Sequence, residues 1–145
     1  MAETQYDQYF ITDFNKHINT NPWAPKYRPE DRTSLLFLDS SVIKDAFFVE
    51  CCWFWPAMLQ NKSSSHDPQP HKHDYNEVLA LIGSNLADPH DLCGEVEFYL
   101  AGEKHVITRS TMVFLPAGIE HGPIRMVRID RPIFHFACAM TPKQA

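Results

Sequence analysis

The sequence predicts a small all-β domain, a sandwich or barrel of short strands. Runs rich in aromatic and β-branched residues recur at turn spacings of roughly ten residues, the pattern of such folds. Eleven prolines stand against five glycines, which suits many stiff connections between short elements better than a bundle of long helices. At 145 residues, 44% hydrophobic and 12% aromatic, the chain is the size of one domain and can build an apolar core. Its 21% charged residues set it apart from disordered chains.

Residues 1–34 read as an N-terminal extension and 35–145 as the barrel domain. In the extension, Asn21-Pro22-Trp23-Ala24-Pro25 and Arg28-Pro29 favour extended or turn backbone before each proline, although 6–18 can form one short helix. This irregular, partly helical segment is expected to wrap around the barrel or a partner subunit. Residues 35–38 read as a buried strand, Asp39-Ser40-Ser41 as a turn, and 46–55 as a long aromatic strand. Along it Cys51, Trp53 and Trp55 share one face, and Cys52, Phe54 and Pro56 the other. Residues 61–70 form a loop by composition, in which Asn61-Lys62-Ser63 matches a glycosylation sequon by chance. The stretch 71–82 reads as a strand pair or one bent strand, closed by Gly83-Ser84-Asn85, and 84–93 as a loop. Strands at 95–100, 105–108, 111–115, 123–129 and 132–139 complete the set, with a hairpin turn at 101–104.

The net charge of −5 and the lack of adjacent basic residues leave no electrostatic footprint for nucleic acid. No apolar run approaches the ~20 residues of a spanning helix, so no membrane partner is expected. The first residues, Met-Ala-Glu-Thr-Gln, lack the basic and apolar regions of a secretory signal. Cys51, Cys52, Cys93 and Cys138 form no Cys-x-x-Cys pair, which argues against disulfide staples and structural zinc. Reduced thiols in a cytoplasmic protein are the plainer reading.

The chemistry is concentrated in His71-Lys72-His73-Asp74-Tyr75-Asn76-Glu77. On a strand, His71, His73 and Glu77 have the same parity and point to one face. Two imidazoles two residues apart can take adjacent positions on one metal, and the carboxylate adds an oxygen. Pro116-Ala117-Gly118-Ile119-Glu120-His121 places a further histidine after a tight turn, from which it can approach the same metal. Three imidazoles and one carboxylate leave one or two positions open, which suits iron, manganese, nickel, copper, cobalt or zinc in a catalytic role.

His71-x-His73-x-x-x-Glu77, with Gly83 beyond it, resembles the first motif of the cupin superfamily, and Pro116-x-Gly118-x-x-His121 is similar to the second. The motifs and their strands cover residues 71–139. Ser65 and Ser110 stand where the two motifs usually open with glycine, and Arg125 where the second often closes with asparagine. The resemblance implies a jelly-roll β-barrel with one divalent transition-metal ion, iron first, held by His71, His73, Glu77 and His121.

Arg125 and Tyr75 are the candidate catalytic residues. By parity Arg125 shares the face of His121, from which its guanidinium can anchor a carboxylate or enolate. Pocket residues can come from Trp53, Trp55, Tyr75, Phe98, Phe114 and Phe136. Among the remaining histidines, His17, His66 and His90 are expected in solvent and His105 on the outer face, while His135 can face either side. The expected function is a dioxygenase-like oxidoreductase cleaving a small diketone, enol or phenolic substrate. The alternatives are a non-redox isomerase, decarboxylase or hydrolase, or a small-molecule-binding barrel without turnover. Exposed strand edges lead to the expectation of a homodimer.

Overall fold

The computed structural model of the protein describes residues 5–14, 28–60, 65–66 and 69–142. Its strands are β1 (Arg32–Leu38), β2 (Phe48–Phe54), β3 (Ser65–His66), β4 (Glu77–Gly83), β5 (Asp91–Leu100), β6 (Glu103–Arg109), β7 (Thr111–Leu115), β8 (His121–Ile129) and β9 (Ile133–Ala139). They form two antiparallel sheets, ordered β1-β2-β9-β4-β7 and β3-β8-β5-β6. Neither sheet is hydrogen-bonded to the other, so the jelly roll is a sandwich open along the seam between β6 and β7.

The core lies between the sheets. In the five-stranded sheet the β9 residues Ile133, His135, Ala137 and Ala139 are buried, and their register partners on β2 and β4 turn inward with them. Phe48, Phe54, Leu79 and Leu81 thereby meet Leu92, Val96, Phe98 and Met126 of the other sheet in one apolar cluster. Gly83 ends β4 where the chain comes closest to β5. A Cβ there would stand 1.8 Å from the Asp91 carbonyl oxygen, so only glycine fits this crossing.

The five-stranded sheet is largely apolar on both faces. Arg32, Glu50 and Glu77, the charged residues of its strands, all lie at buried inward positions. Outward it presents Trp53, Phe134, Phe136, Val78, Met112 and Phe114, and none of its strands carries a charged residue on that face.

Several elements differ from the sequence reading. The helix expected over 6–18 is reduced to a 3-10 turn at Asp7–Tyr9, which has no side-chain cap. So short a helix has too few hydrogen bonds to stand alone, and Phe14 leaves it to pack against Phe37, 5.8 Å between ring centroids. Residues 15–18 and the Asn61 sequon lie outside the described residues. β5 starts at Asp91, inside the expected loop, because Leu92 is drawn fully into the core. A single helical turn, α1 (Ala57–Gln60), follows β2 and buries Met58.

Candidate metal centre

His71, His73 and Glu77 do not lie on one regular strand. Only Glu77 belongs to β4, while His71 forms an isolated bridge and residues 74–75 bend. Backbone bonds to the turn before β8 bring the side chains together instead. The His71 N–H donates to the His121 carbonyl at 3.0 Å, and the His121 N–H to that of His71 at 2.9 Å. Such a reciprocal pair puts both side chains on the same side, and the rings meet with centroids 4.4 Å apart. The turn is clamped to the same segment. Gly118 N–H donates to the His73 carbonyl at 2.8 Å, and Ala117 N–H to the Asn76 side-chain oxygen at 2.8 Å. Gly118 sits at φ 84°, in the left-handed region that this turn requires.

Each imidazole is aimed by the backbone. The Nδ1–H of His71 donates to the Gln69 carbonyl at 2.9 Å, that of His73 to Tyr75 at 3.0 Å, and that of His121 to Ile119 at 3.1 Å. With Nδ1 engaged as a donor, Nε2 is the ring nitrogen left to face a metal on all three rings, the arrangement found around metal-ligating histidines. The ligating atoms of His71, His73 and His121 lie within 4.8 Å of one another. Glu77, 9% exposed, brings its Oε2 to 2.8 Å from His73 Nε2 and 3.7 Å from His121 Nε2. Neighbouring donors on one ion at ~2.1 Å bonds stand roughly 3 Å apart, so these residues fit a metal after small side-chain rotations. Burial pushes the His121 pKa below its ordinary value, with the Ile119 hydrogen bond opposing, and so favours the neutral ring a metal needs.

Tyr75 stacks face to face on His73, with centroids 3.9 Å apart and planes at 6°. It thus touches a candidate ligand. Arg125 does not join the group. Its guanidinium is half exposed and lies 3.5 Å from Glu97 on the outer face. The parity argument fails because β8 carries an extra residue: Leu100 opposes His121 while Phe98 opposes Ile124, so two steps on β5 match three on β8. This bulge turns Ile124 and Met126 inward and Arg125 outward.

Of the candidate pocket aromatics, Phe98 faces the core, but Trp53, Phe114 and Phe136 lie on the outer face of the five-stranded sheet. Trp55 follows Trp53, stacks on it at 5.9 Å and donates its indole N–H to Thr33. His135 faces inward, donating from Nδ1 to the Ala80 carbonyl at 2.8 Å. His105 pairs with Phe98 and so has the inner-face parity, contrary to expectation, although its position on edge strand β6 leaves it exposed. His90 is exposed, His66 lies on β3 rather than in a loop, and His17 is outside the described residues.

A cavity of about 440 Å³ opens along the β6–β7 seam, walled by Phe98, Leu100, Ile107 and Val113 with His105 and Arg109 among its lining. None of the four candidate ligands lines it; its wall residue Leu100 is the register partner of His121. Of the wall residues, Phe98 was a candidate from sequence, while Leu100, Ile107 and Val113, and Asn76, which holds the turn, were not singled out; the signal for Asn76 is its place inside the histidine motif.

No protein-family model and no curated protein matches the sequence. Solved structures do match. A recombinant oxalate oxidase in complex with glycolate aligns with a TM-score of 0.55 at 13% identity, covering 99% of this chain and 64% of that one. A second oxalate oxidase structure, with the substrate analogue glycolate, aligns at 0.54 and 13%, covering 100% and 65%. This chain therefore spans under two thirds of their length. An RmlC-like cupin from Shewanella frigidimarina aligns at 0.44 and 17% identity, covering 78% and 76%. The protein has the jelly-roll fold of the cupins, with three histidines whose ligand atoms lie close enough to one another to hold a metal. No helix among the described residues is long and apolar enough to cross a membrane.

Proposed function

We propose that this protein is a cytoplasmic, metal-dependent enzyme acting on a small organic molecule, with one divalent transition-metal ion held by His71, His73, Glu77 and His121. The observation that carries the reading is the convergence of three Nδ1-tethered imidazoles with the Glu77 carboxylate against two of them. The four free cysteines support the cytoplasmic reading.

The preferred metal is iron and the preferred reaction an oxygenase-type cleavage of a diketone, enol or phenol. Bound there with positions left open, the ion supplies Lewis-acid polarisation of substrate oxygens and, if redox-active, dioxygen chemistry. The chain's own contribution is placement. Glu77 balances the positive charge and is kept from water by burial, and Tyr75 fixes the His73 plane. The apolar seam cavity is large enough for the hydrocarbon part of a small substrate, and its wall residue Leu100 pairs with His121 across β5 and β8.

Elemental analysis of protein purified without added metal tests the site. Near-stoichiometric metal in the wild type and its loss in His71→Ala/His73→Ala is the expected result; metal content unchanged in that variant overturns the reading. Oxygen-electrode measurements over a panel of diketones, enols and phenols then separate the chemistries. Uptake of dioxygen with product supports the oxygenase, while product formed without uptake assigns a non-redox isomerase, decarboxylase or hydrolase.

A further inference from the structure

We propose that Asn76 is a positioning residue for the metal centre, holding the turn that aims His121. The inference rests on the metal site proposed above and adds to it a residue that ligates nothing. Three of the four candidate ligands, His71, His73 and Glu77, come from one segment, and His121 comes alone from another. Where the His121 ring stands relative to the rest therefore depends on how firmly the two segments are joined.

Asn76 joins them with its side chain, across 41 positions of sequence. Its Oδ1 accepts from the Ala117 N–H at 2.8 Å, and since a donor faces it, the amide presents oxygen there and not nitrogen. The next N–H, that of Gly118, is held by the His73 carbonyl at 2.8 Å. The turn closes where the Ile119 N–H donates to the Pro116 carbonyl at 3.2 Å, and the Ile119 carbonyl in turn takes the Nδ1–H of His121. From Asn76 to the His121 ring the path thus runs through hydrogen bonds and one short turn. The bonds of His71 to His121 and of Gly118 to His73 are backbone to backbone and persist through substitution, whereas the Asn76 bond is written into a side chain. Asn76 and Ala117 are both exposed, so their contact contributes little to the apolar core. What it contributes is aim. Loss of a group that orients a ligand costs roughly 10–100-fold in metal affinity, and a single exposed neutral bond belongs at the lower end.

Cobalt(II) affinity of the full chain, measured by competition with a chelator, tests the inference in a double-mutant cycle. Asn76→Ala is expected to bind about tenfold more weakly than the wild type. Asn76→Asp keeps an acceptor for the Ala117 N–H and is expected to return the affinity to the wild-type level or above. In a His121→Ala background, Asn76→Ala is expected to change affinity no further, because the ring it aims is gone. Hydrogen exchange on the metal-free protein reads the bond itself: the Ala117 N–H is expected to exchange slowly in the wild type and in Asn76→Asp, and faster in Asn76→Ala. Cobalt bound as tightly by Asn76→Ala as by the wild type overturns the inference and leaves the metal site standing. So does a loss that is undiminished in the His121→Ala background, or a wild-type Ala117 N–H that exchanges as fast as an open chain, a result that needs no variant to fold. A wild type that binds no cobalt overturns the metal site and this inference together.

Discussion

Burial pushes the His135 pKa down to about 4, with Arg32 adding to the effect and the hydrogen bond to Ala80 opposing it. In the unfolded chain the ring titrates near ~6.5. Between these values the unfolded state takes up a proton that the native state refuses, so stability rises with pH. The contribution is complete above ~6.5 and is lost as pH falls toward 4, on the order of 3 kcal/mol in all. His135→Gln keeps a donor for Ala80 but cannot titrate. Urea unfolding at pH 7 and pH 4.5 is expected to show a smaller loss of stability in the variant than in the wild type. A second residue-scale expectation concerns Tyr75. Its stacking holds His73 in plane, so Tyr75→Leu is expected to weaken metal affinity by about tenfold, measured by competition with a chelator, with the fold unchanged.

At the scale of the element, Gly83 is the position where β4 and β5 touch. Gly83→Ala must drive the Asp91 carbonyl away, and an expected loss of about 2–3 kcal/mol appears as a lower urea midpoint. Much of this layer was legible in the sequence. Thr111–Leu115 falls where alternation places it, and β6, β8 and β9 differ only at their ends. The four candidate ligands were legible as residue types at fixed spacing. What remained hidden depends on tertiary register. The extra residue of β8 reverses the facing of Arg125, and nothing local to Ile124-Arg125-Met126 announces it. Alternation pairs Trp53 with Cys51 and Phe54 with Cys52, but on a strand apolar to both sides it does not say which pair is inside. The bend after His73 was hidden for a related reason: the strand-like parity of His71 and Glu77 persists, while a hydrogen-bonded turn, not a strand, delivers it.

For the whole molecule, the candidate ligands come from both halves of the sandwich. Glu77 opens β4 in the five-stranded sheet and His121 opens β8 in the four-stranded one. An ion binding both ties the sheets together at that end, and it stabilises the native state alone. At a free metal concentration a hundred times Kd the gain is about 2.7 kcal/mol, so removing the metal is expected to lower Tm by about 5–10 °C in calorimetry. The three rings add a different kind of permanence. Their aim is set by the carbonyls of Gln69, Tyr75 and Ile119, groups that every residue type possesses. Substitution at Gln69 or Ile119 leaves the tether in place, so sequence drift there can proceed without misdirecting His71 or His121, whereas at position 75 the carbonyl tether of His73 stays but the stacked ring is lost. The charge of the cluster then rests with the Glu77 carboxylate, where a single codon change alters it while the histidines stay trained on the same point.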